Sequence, residues 1–359
     1  MLISKKYFFL FSIFFLLSVS CKKNNITPIT STPEDFSFLR GADISYLPEI
    51  RAAQFNAKNT AGQTEDMLTT LRYAGANTFR LRIWVNPADG HSGFAEVKQL
   101  ANEIKSTGAK VWLTVHYSDT WADPGNQTKP SAWSNLPFQQ LKDSVYQYTK
   151  KIVTEINPDY IQIGNEINNG FLWPDGRYTQ LTYMKLLLQE GIRAVRENSS
   201  TMKIMIHYAG HQEALAFYNS MNNIDYDIIA LSYYPKWHGK SLDSLSNSIS
   251  VLKTTFHKDV IIAETSYPFT FNWNDWTNNV IGSNNEIIST YPATNEGQKN
   301  YLMDLKTHLK TNSNAIGFCY WGGEWVSFKG STATNGSSWE NQALWDFTGK
   351  ALPAIEVFN

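Results

Sequence analysis

The sequence predicts an α/β fold: a single (β/α)8 barrel of the TIM type, with long loops after strands 3, 4, 7 and 8. Eight short runs of apolar or β-branched residues recur along the chain, and segments of helical spacing separate them. Polar residues collect at the C-terminal ends of many runs. Strands that are nearly all apolar must be covered on both faces, and alternation with helices implies parallel pairing, so eight such units favour a closed barrel.

The predicted strands take up the chain in order. They cover residues 39–45, 77–84, 110–117, 159–166, 203–209, 227–234, 259–266 and 315–322. Between the second and third strands, apolar residues recur at helical spacing, which predicts a helix, and Gly108 marks its C-terminal end. These residues are Phe94, Val97, Leu100, Ala101 and Ile104. The same spacing between the fourth and fifth strands predicts a second helix, through Leu181, Met184, Leu188, Ile192 and Val195.

The alternative fold is an open, doubly wound sheet. It is weaker because no Gly-rich phosphate turn follows the first strand. The long loops are rich in aromatic residues, and the chain has 12 Trp and 18 Tyr. Some of these Trp and Tyr side chains are expected to belong to a large core. The rest lie beside Gly, Pro and Asp in predicted loops, where a flat apolar face suits a ligand, so we expect the loops to wall a cleft.

Composition limits the partners. The formal net charge is -1, which gives no basic footprint for nucleic acid. We therefore expect a neutral partner and a monomeric protein. Only Cys21 and Cys319 are present, so no disulfide is expected, and Cys319 is interpreted as a small core residue.

The N-terminus predicts export. Lys5 and Lys6 precede an apolar run that is too short for a membrane span of about 20 residues and stops at Cys21. This pattern predicts a lipoprotein signal peptide at 1–20, lipidation of Cys21, a flexible tether at 21–37 in which nothing packs, and a folded domain at 38–359. The protein would then be anchored by lipid in the membrane of a bacterial cell envelope or at the cell surface. The alternative is cleavage to a free secreted protein.

Two glutamates carry the functional prediction. Glu166 ends the fourth strand and Glu264 the seventh, and these strand ends face each other across a barrel of eight. Either one alone would be a weak signal, since a glutamate there often pairs with an arginine. Hydrolysis of a glycosidic bond uses such a pair, one residue to protonate the leaving oxygen and one to attack the sugar, so Glu166 is predicted to be the acid/base and Glu264 the nucleophile. Their carboxyl groups would then lie about 5 Å apart, whereas about 8 Å would indicate inversion.

Arginines on the second strand complete this prediction. Arg80 would keep Glu264 ionised, and the charge on Glu264 would raise the pKa of Glu166. Arg82 is interpreted as structural and on the opposite side of the strand, although strand alternation alone leaves open which of the two faces inward.

The chain also resembles glycoside hydrolase family 53, the arabinogalactan endo-β-1,4-galactanases, within the clan of retaining glycosidases on (β/α)8 barrels. The resemblance runs from Arg40 to about Phe358 and is carried by RGADIS, FRLRIWVNPADG, HYSDTWADPGNQTKPSAW, IGNEINNGFLWPDGR, KIMIH, AETSYP, YWGGEW and NQALWDF. It implies endo-acting cleavage of the β-1,4-galactan side chains of pectin. It also implies that Asn165 contacts the sugar, together with Asp43, Arg80, His116 and Tyr233 or Tyr234. Trp321 would lie under the sugar ring. Candidates for stacking on neighbouring galactose units are Trp84, Trp121 and Trp173.

Metal binding is a weaker interpretation. His116, Asp119 and His207 could be zinc ligands, but ligand pairs at close spacing and accompanying cysteines are absent from the sequence, so Asp119 and His207 are assigned to substrate contact. Some bacterial members of the family that the chain resembles hold calcium between the loops after strands 7 and 8 with an Asp-rich segment, from which this sequence departs. The weak candidates there are Asp275, Asn279 and Glu340, and calcium favours several carboxylates, so we expect a weak or missing site and no required cofactor.

Two further functions stay open from the sequence. The same mechanism could act on another β-1,4-glycan, namely mannan, xylan or glucan, because only loop contacts to the sugar decide. A surface lipoprotein that binds glycan without cutting it would also use aromatic loops and a tether, but it does not explain two opposed carboxylates.

Overall fold

The eight apolar runs form the closed parallel barrel that the sequence predicts, in a computed structural model that describes residues 34–359. Each strand pairs with its neighbours in chain order, and the eighth closes on the first. The strands are β1 Leu39–Asp43, β2 Thr78–Ile83, β3 Lys110–Val115, β4 Tyr160–Ile163, β5 Lys203–Ala209, β6 Ile228–Ser232, β7 Asp259–Thr265 and β8 Gly317–Tyr320.

Helices cover the outside of the barrel. Both predicted helices form, and each buries the apolar stripe that predicted it. The helices are α1 Leu47–Ala52, α2 Met67–Tyr73, α3 Phe94–Ser106, α4 Phe138–Glu155, α5 Leu181–Asn198, α6 Ala214–Ser220, α7 Pro235–His238, α8 Leu242–Phe256 and α9 Asn295–Thr307. No helix in this part of the chain is both long and apolar enough to cross a bilayer.

The hydrophobic core consists of two clusters of buried residues. The larger one lies between the strands and the helices. A smaller one fills the barrel interior from alternate positions of the strands, and it includes Trp112, Ala230, Ile261, Ala263 and Cys319. Cys319 is fully buried, so its place as a small core residue agrees with the sequence.

A register shift interrupts this alternation in β7. Leu231 pairs with Ile262, but the next residue of β6, Ser232, pairs with Glu264. One extra residue in β7 is a β-bulge, and bulges commonly re-aim a side chain beside an active site. Ile261 and Ala263 already point into the barrel. Without the bulge, Glu264 would point out towards the helices.

Residues 34–37, which the sequence assigned to the tether, belong to the compact unit Glu34–Asn359. Glu34 accepts hydrogen bonds from Arg40 and Arg72, and Phe36 packs on the lower end of the interior cluster. The expectation that nothing in the tether packs is therefore wrong for residues 34–37. The predicted signal peptide at 1–20 and Cys21 lie outside the described residues.

Candidate active site

A cavity of about 630 Å³ opens at the C-terminal ends of the strands. Both predicted glutamates line it. The other predicted residues that line it are Arg80, His116, Trp121, Asn165, Tyr234 and Trp321. The loops after β3, β4 and β8 therefore wall the cleft as predicted, on the face where barrel enzymes carry their active sites. The loop after β7, which was also predicted to wall it, does not line the cavity, and the segment after β6 does so instead.

The two carboxyl groups face each other across this cleft. A carboxylate oxygen of Glu166 and one of Glu264 lie within 4.8 Å of each other. Carboxyl groups of retaining glycosidases lie about 5 Å apart, and those of inverting enzymes are separated by roughly 6.5–9.5 Å to admit a water. The geometry therefore fits direct attack by one carboxylate on the sugar.

Glu264 is held in its ionised form by two donors. Arg80 Nη2 donates to Oε1 at 2.7 Å, and the Tyr234 hydroxyl donates to Oε2 at 2.9 Å. Arg80 is itself fixed, because it also donates to Asp43 at 2.8 Å and to Gln162 at 2.9 Å. Burial raises the pKa of Glu264, while the Arg80 charge and the Tyr234 hydrogen bond oppose that rise. Arg80 and Tyr234 thus stabilise the charged form of Glu264 against the effect of burial.

Glu166 is held as the protonated partner. Burial first, and then the negative charge of Glu264, raise its pKa to about 8. Ser232 Oγ donates to Glu166 Oε1 at 2.5 Å, which favours the carboxylate and limits the rise. At neutral pH the pair therefore has the asymmetry that acid catalysis beside a nucleophile requires.

The backbone that presents Glu166 has a left-handed conformation. Strand β4 ends at Ile163, and the chain then turns through Gly164 with a φ of 87° and Glu166 with a φ of 46°. A side chain on Gly164 would come within 2.6 Å of Ile167, so this turn requires glycine. Left-handed non-glycine residues cluster at functional sites, where surrounding structure holds them.

Asn165 immediately precedes Glu166 in the chain, and both polar atoms of its side-chain amide form hydrogen bonds. Its Oδ1 accepts from Arg80 Nη2 at 2.9 Å, and its Nδ2 donates to the Ala122 carbonyl at 2.9 Å. Gln127 Nε2 donates to the Asn165 carbonyl at 2.8 Å. This network fixes the backbone between β4 and Glu166.

His116 lines the cleft as a neutral imidazole, because burial and the charges of Arg82 and Arg80 hold its pKa well below the usual value. Its Nδ1 accepts the Ala122 N–H at 3.0 Å. The proton is therefore on Nε2, where it can be donated to a sugar hydroxyl.

The prediction that Arg82 points to the opposite side of β2 from Arg80 is wrong. Residues two apart on a strand share a face, and both arginines line the cleft. The Arg82 guanidinium lies 4.0 Å from the Trp121 ring centre and 4.7 Å from that of Trp84. Arg82 thus stabilises the aromatic wall by cation–π contacts and does not reach Glu264.

Apart from Tyr233, which was predicted as an alternative to Tyr234, five predicted contacts do not line the cavity. Asp43 and His207 are buried behind it, where Asp43 binds Arg80 and His207 lies against Asn165 and Ser232. Trp84, which follows β2, packs against Trp121, edge to face at 5.6 Å. The two others are Asp119 and Trp173.

Asp119 and Trp173 serve the loops instead. Asp119 Oδ1 accepts the Asn86 N–H at 3.0 Å, and its Oδ2 accepts the N–H and hydroxyl of Ser131. The Arg177 guanidinium covers one face of Trp173 at 4.2 Å, so that face cannot stack on a sugar. The choice between the two tyrosines is also resolved, because the fully buried Tyr233 donates to the Gly239 carbonyl while Tyr234 reaches Glu264.

Sequence reasoning missed several residues of the site. Ser232 ends β6 on the inward face, and a polar residue at the C-terminal end of a barrel strand is the signal that could have identified it. Gln162 carries the same signal on β4. Other missed residues that line the cleft are Trp237, Trp325 and Trp339. They lie in loops, where no periodicity indicates the direction of a side chain.

The predicted metal ligands do not come together. Among residues 34–359, the cluster of metal-binding side chains is Glu166, His207 and Glu264, which excludes His116 and Asp119. Both ring nitrogens of His207 are within hydrogen-bond distance of neighbouring protein atoms, at 3.1 Å from Asn165 and 2.9 Å from Ser232. We therefore assign this cluster to acid–base chemistry.

The calcium candidates fit a metal poorly. Asp275 accepts the backbone N–H groups of Thr277 and Ser337, and Glu340 Oε1 accepts that of Asn274 at 2.6 Å. Two buried oxygens are left over, Glu340 Oε2 and Asn279 Oδ1. Calcium takes six to eight oxygen ligands, so this set does not fit the usual site.

Comparisons with known proteins agree on one family. The model of glycosyl hydrolase family 53 matches residues 39–358. The endo-β-1,4-galactanase of Bacillus subtilis is 34% identical over 89% of this chain and 85% of its own length. The arabinogalactan endo-β-1,4-galactanase of Cellvibrio japonicus is 33% identical over 92% of both chains.

Solved structures agree with this result. The GH53 catalytic domain of Ignisphaera aggregans superposes with a TM-score of 0.85 at 36% identity, over 92% of this chain and 99% of that one. A fungal β-1,4-galactanase gives a TM-score of 0.78 at 27% identity, over 89% and 98%. A GH113 β-1,4-mannanase, at 13% identity and a TM-score of 0.52, shares the fold alone. By its match to the family model and by these relatives, the chain belongs to glycosyl hydrolase family 53.

Proposed function

We propose that this protein is an endo-acting, retaining β-1,4-galactanase that cleaves pectic galactan and type I arabinogalactan. The observation that carries the proposal is the pair Glu166 and Glu264, whose oxygens lie within 4.8 Å and whose surroundings favour opposite protonation states. The names of the relatives support the choice of polymer.

The reaction has two displacements. Glu264 attacks the anomeric carbon, the bond to the leaving sugar oxygen breaks, and Glu166 gives its proton to that oxygen. Glu166, now ionised, then takes a proton from water as the water attacks the glycosyl ester, which frees Glu264. These carboxyl groups supply the acid, base and nucleophile that the reaction needs, so we propose no cofactor.

The cleft suits a neutral polysaccharide. Its walls are largely indole and imidazole rings, from Trp121, Trp321, Trp325 and Trp339 with His116 among them. Aromatic faces pack against the C–H face of a sugar. Of the buried arginines, Arg80 is paired with Glu264, and Arg82 donates to Ser92 and lies over Trp121. A surface that only captures glycan would not require this pair, so cleavage is the better supported function.

Incubation with separate polysaccharides tests the proposal. Linear β-1,4-galactan should give a steady rise in reducing ends and a rapid fall in viscosity, because endo cleavage shortens chains from within. Mannan, xylan and glucan are the controls. A larger rise on any of these three polymers would replace galactan as the substrate, and binding to galactan without shortening would replace the enzyme with a glycan-binding protein.

We also propose that the protein is exported and lipid-anchored through Cys21. The support is the sequence alone, a short apolar run behind two lysines that stops at this cysteine. The full chain, expressed in a bacterium that processes lipoproteins, should partition into the detergent phase of Triton X-114. Cys21→Ser should move it to the aqueous phase, and an unchanged partition of this variant would exclude the anchor.

A further inference from the structure

We infer a second sugar-binding surface beside the cleft, formed by the indoles of Trp273 and Trp276, that holds a more distant part of the same galactan chain. We name it the Trp273–Trp276 surface. This inference rests on the proposed function, since it assigns the surface to the polymer cleaved in the cleft.

The two indoles are unusually open to solvent. Trp273 is 50% exposed and Trp276 is 65% exposed, and both belong to the loop that follows β7. Scattered apolar residues on a surface are ordinary, but tryptophan is a large side chain that is highly buried on average. Two indoles this exposed, both within the segment 271–279, are the feature from which we infer a ligand-binding surface.

The loop that carries them is bonded to a wall of the cleft. The backbone N–H of Trp276 donates to the Ala333 carbonyl at 2.9 Å, and Asn274 Nδ2 donates to Ser327 Oγ at 2.5 Å. Both partners lie in the loop after β8, the loop whose Trp325 lines the cleft. The segment that carries the two indoles is therefore joined to a loop that walls the cleft.

The chemistry of this loop selects a neutral ligand. In the segment 271–279 the one carboxylate, Asp275, is 2% exposed and accepts the backbone N–H groups of Thr277 and Ser337. Beside the indoles, the residues of this segment that are exposed to solvent are Asn272 and Asn278. Flat apolar rings flanked by amides match the C–H faces and hydroxyls of an uncharged sugar and offer no charge to an ionic polymer.

The surface is also held in place. Glu340 Oε1 accepts the Asn274 N–H at 2.6 Å, and the Asn341 amide donates to the carbonyls of Thr270 and Ile281 at 2.9 and 2.7 Å, on either side of the indoles. A segment fixed before binding loses little conformational entropy when the ligand arrives.

The test compares substrates of two lengths. The double variant Trp273→Ala, Trp276→Ala should raise the KM for long galactan by about tenfold, the size expected from the loss of one or two stacking contacts. Its kcat on galactan and its kinetics on β-1,4-galactotetraose should stay at the parent values. The matched control is Tyr73→Ala, which removes a 58% exposed aromatic side chain from α2 and should change neither.

Binding gives a second readout that is independent of turnover. In the Glu264→Gln background, retention on insoluble galactan should fall when both tryptophans are replaced. Unchanged kinetics on the long polymer, or an equal loss on both lengths, would overturn the inference. If the parent protein leaves galactan intact, the proposed function itself fails; if it cleaves galactan but the double variant shows no dependence on length, only the Trp273–Trp276 surface is refuted.

Discussion

Replacing Glu264 with alanine is expected to lower kcat on galactan at least about a thousandfold, which corresponds to a loss of roughly 4 kcal/mol of transition-state stabilisation. Of the carboxylates that line the cleft in residues 34–359, namely Asp123, Glu166 and Glu264, only Glu264 accepts from Arg80 and Tyr234, and these donors would be left pointing at an empty position. Reducing-end release by variant and parent measures the loss.

The chemistry of rescue identifies the role of Glu264. With an aryl galactoside and added azide, Glu264→Ala should form the α-azide, because one displacement inverts the anomeric carbon. Glu264→Gln, which keeps the shape of the side chain, is the matched control for folding and should also be inactive. A Glu264→Ala variant that cuts galactan at the parent rate would exclude Glu264 as the nucleophile.

Replacing Glu166 with alanine is expected to lower galactan cleavage by about a hundredfold to ten-thousandfold, the range that general acid catalysis supplies. An aryl galactoside whose phenol leaves without a proton should form the glycosyl-enzyme at a rate much closer to that of the parent. Azide should then accelerate turnover and give the β-azide, because Glu264 still makes the first displacement. Equal losses on galactan and on the activated galactoside would contradict the assignment of Glu166 as the acid.

The pH profile tests the same residue without removing it. Glu166 must carry its proton to act as the acid, and its pKa is raised to about 8, so kcat/KM should fall as pH rises through about 8. The Ser232 hydroxyl donates to the carboxylate and lowers this pKa, so Ser232→Ala should move the basic limb to higher pH. A limb that stays in place in Ser232→Ala would show that another group sets it.

The sequence predicts the fold well because the relevant pattern is local. Each strand is a short apolar run, and the observed β3 and β5 begin at the predicted residues, Lys110 and Lys203. The order of the strands then brings Glu166 and Glu264 together, since parallel strands place their C-terminal ends on one face.

Side-chain direction is where sequence reasoning is weakest. Period-two alternation places Arg80 and Arg82 on the same face of β2, so the pattern itself contradicts the prediction that Arg82 points to the opposite side. The loop residues Trp84, Asp119 and Trp173 could not be placed in this way. Their directions depend on backbone turns and on partners such as Ser131 and Arg177, which are distant from any periodic segment.

The bulge in β7 has a bearing on how related chains are compared. Ala263 and Glu264 both point inward because one extra residue interrupts the pairing with β6. A homologue of the same strand length that paired Ala263 with Ser232 in regular register would orient the carboxylate of the next residue towards the surrounding helices and be inert. Retention of the bulge is thus as informative about activity as conservation of the acidic residue itself.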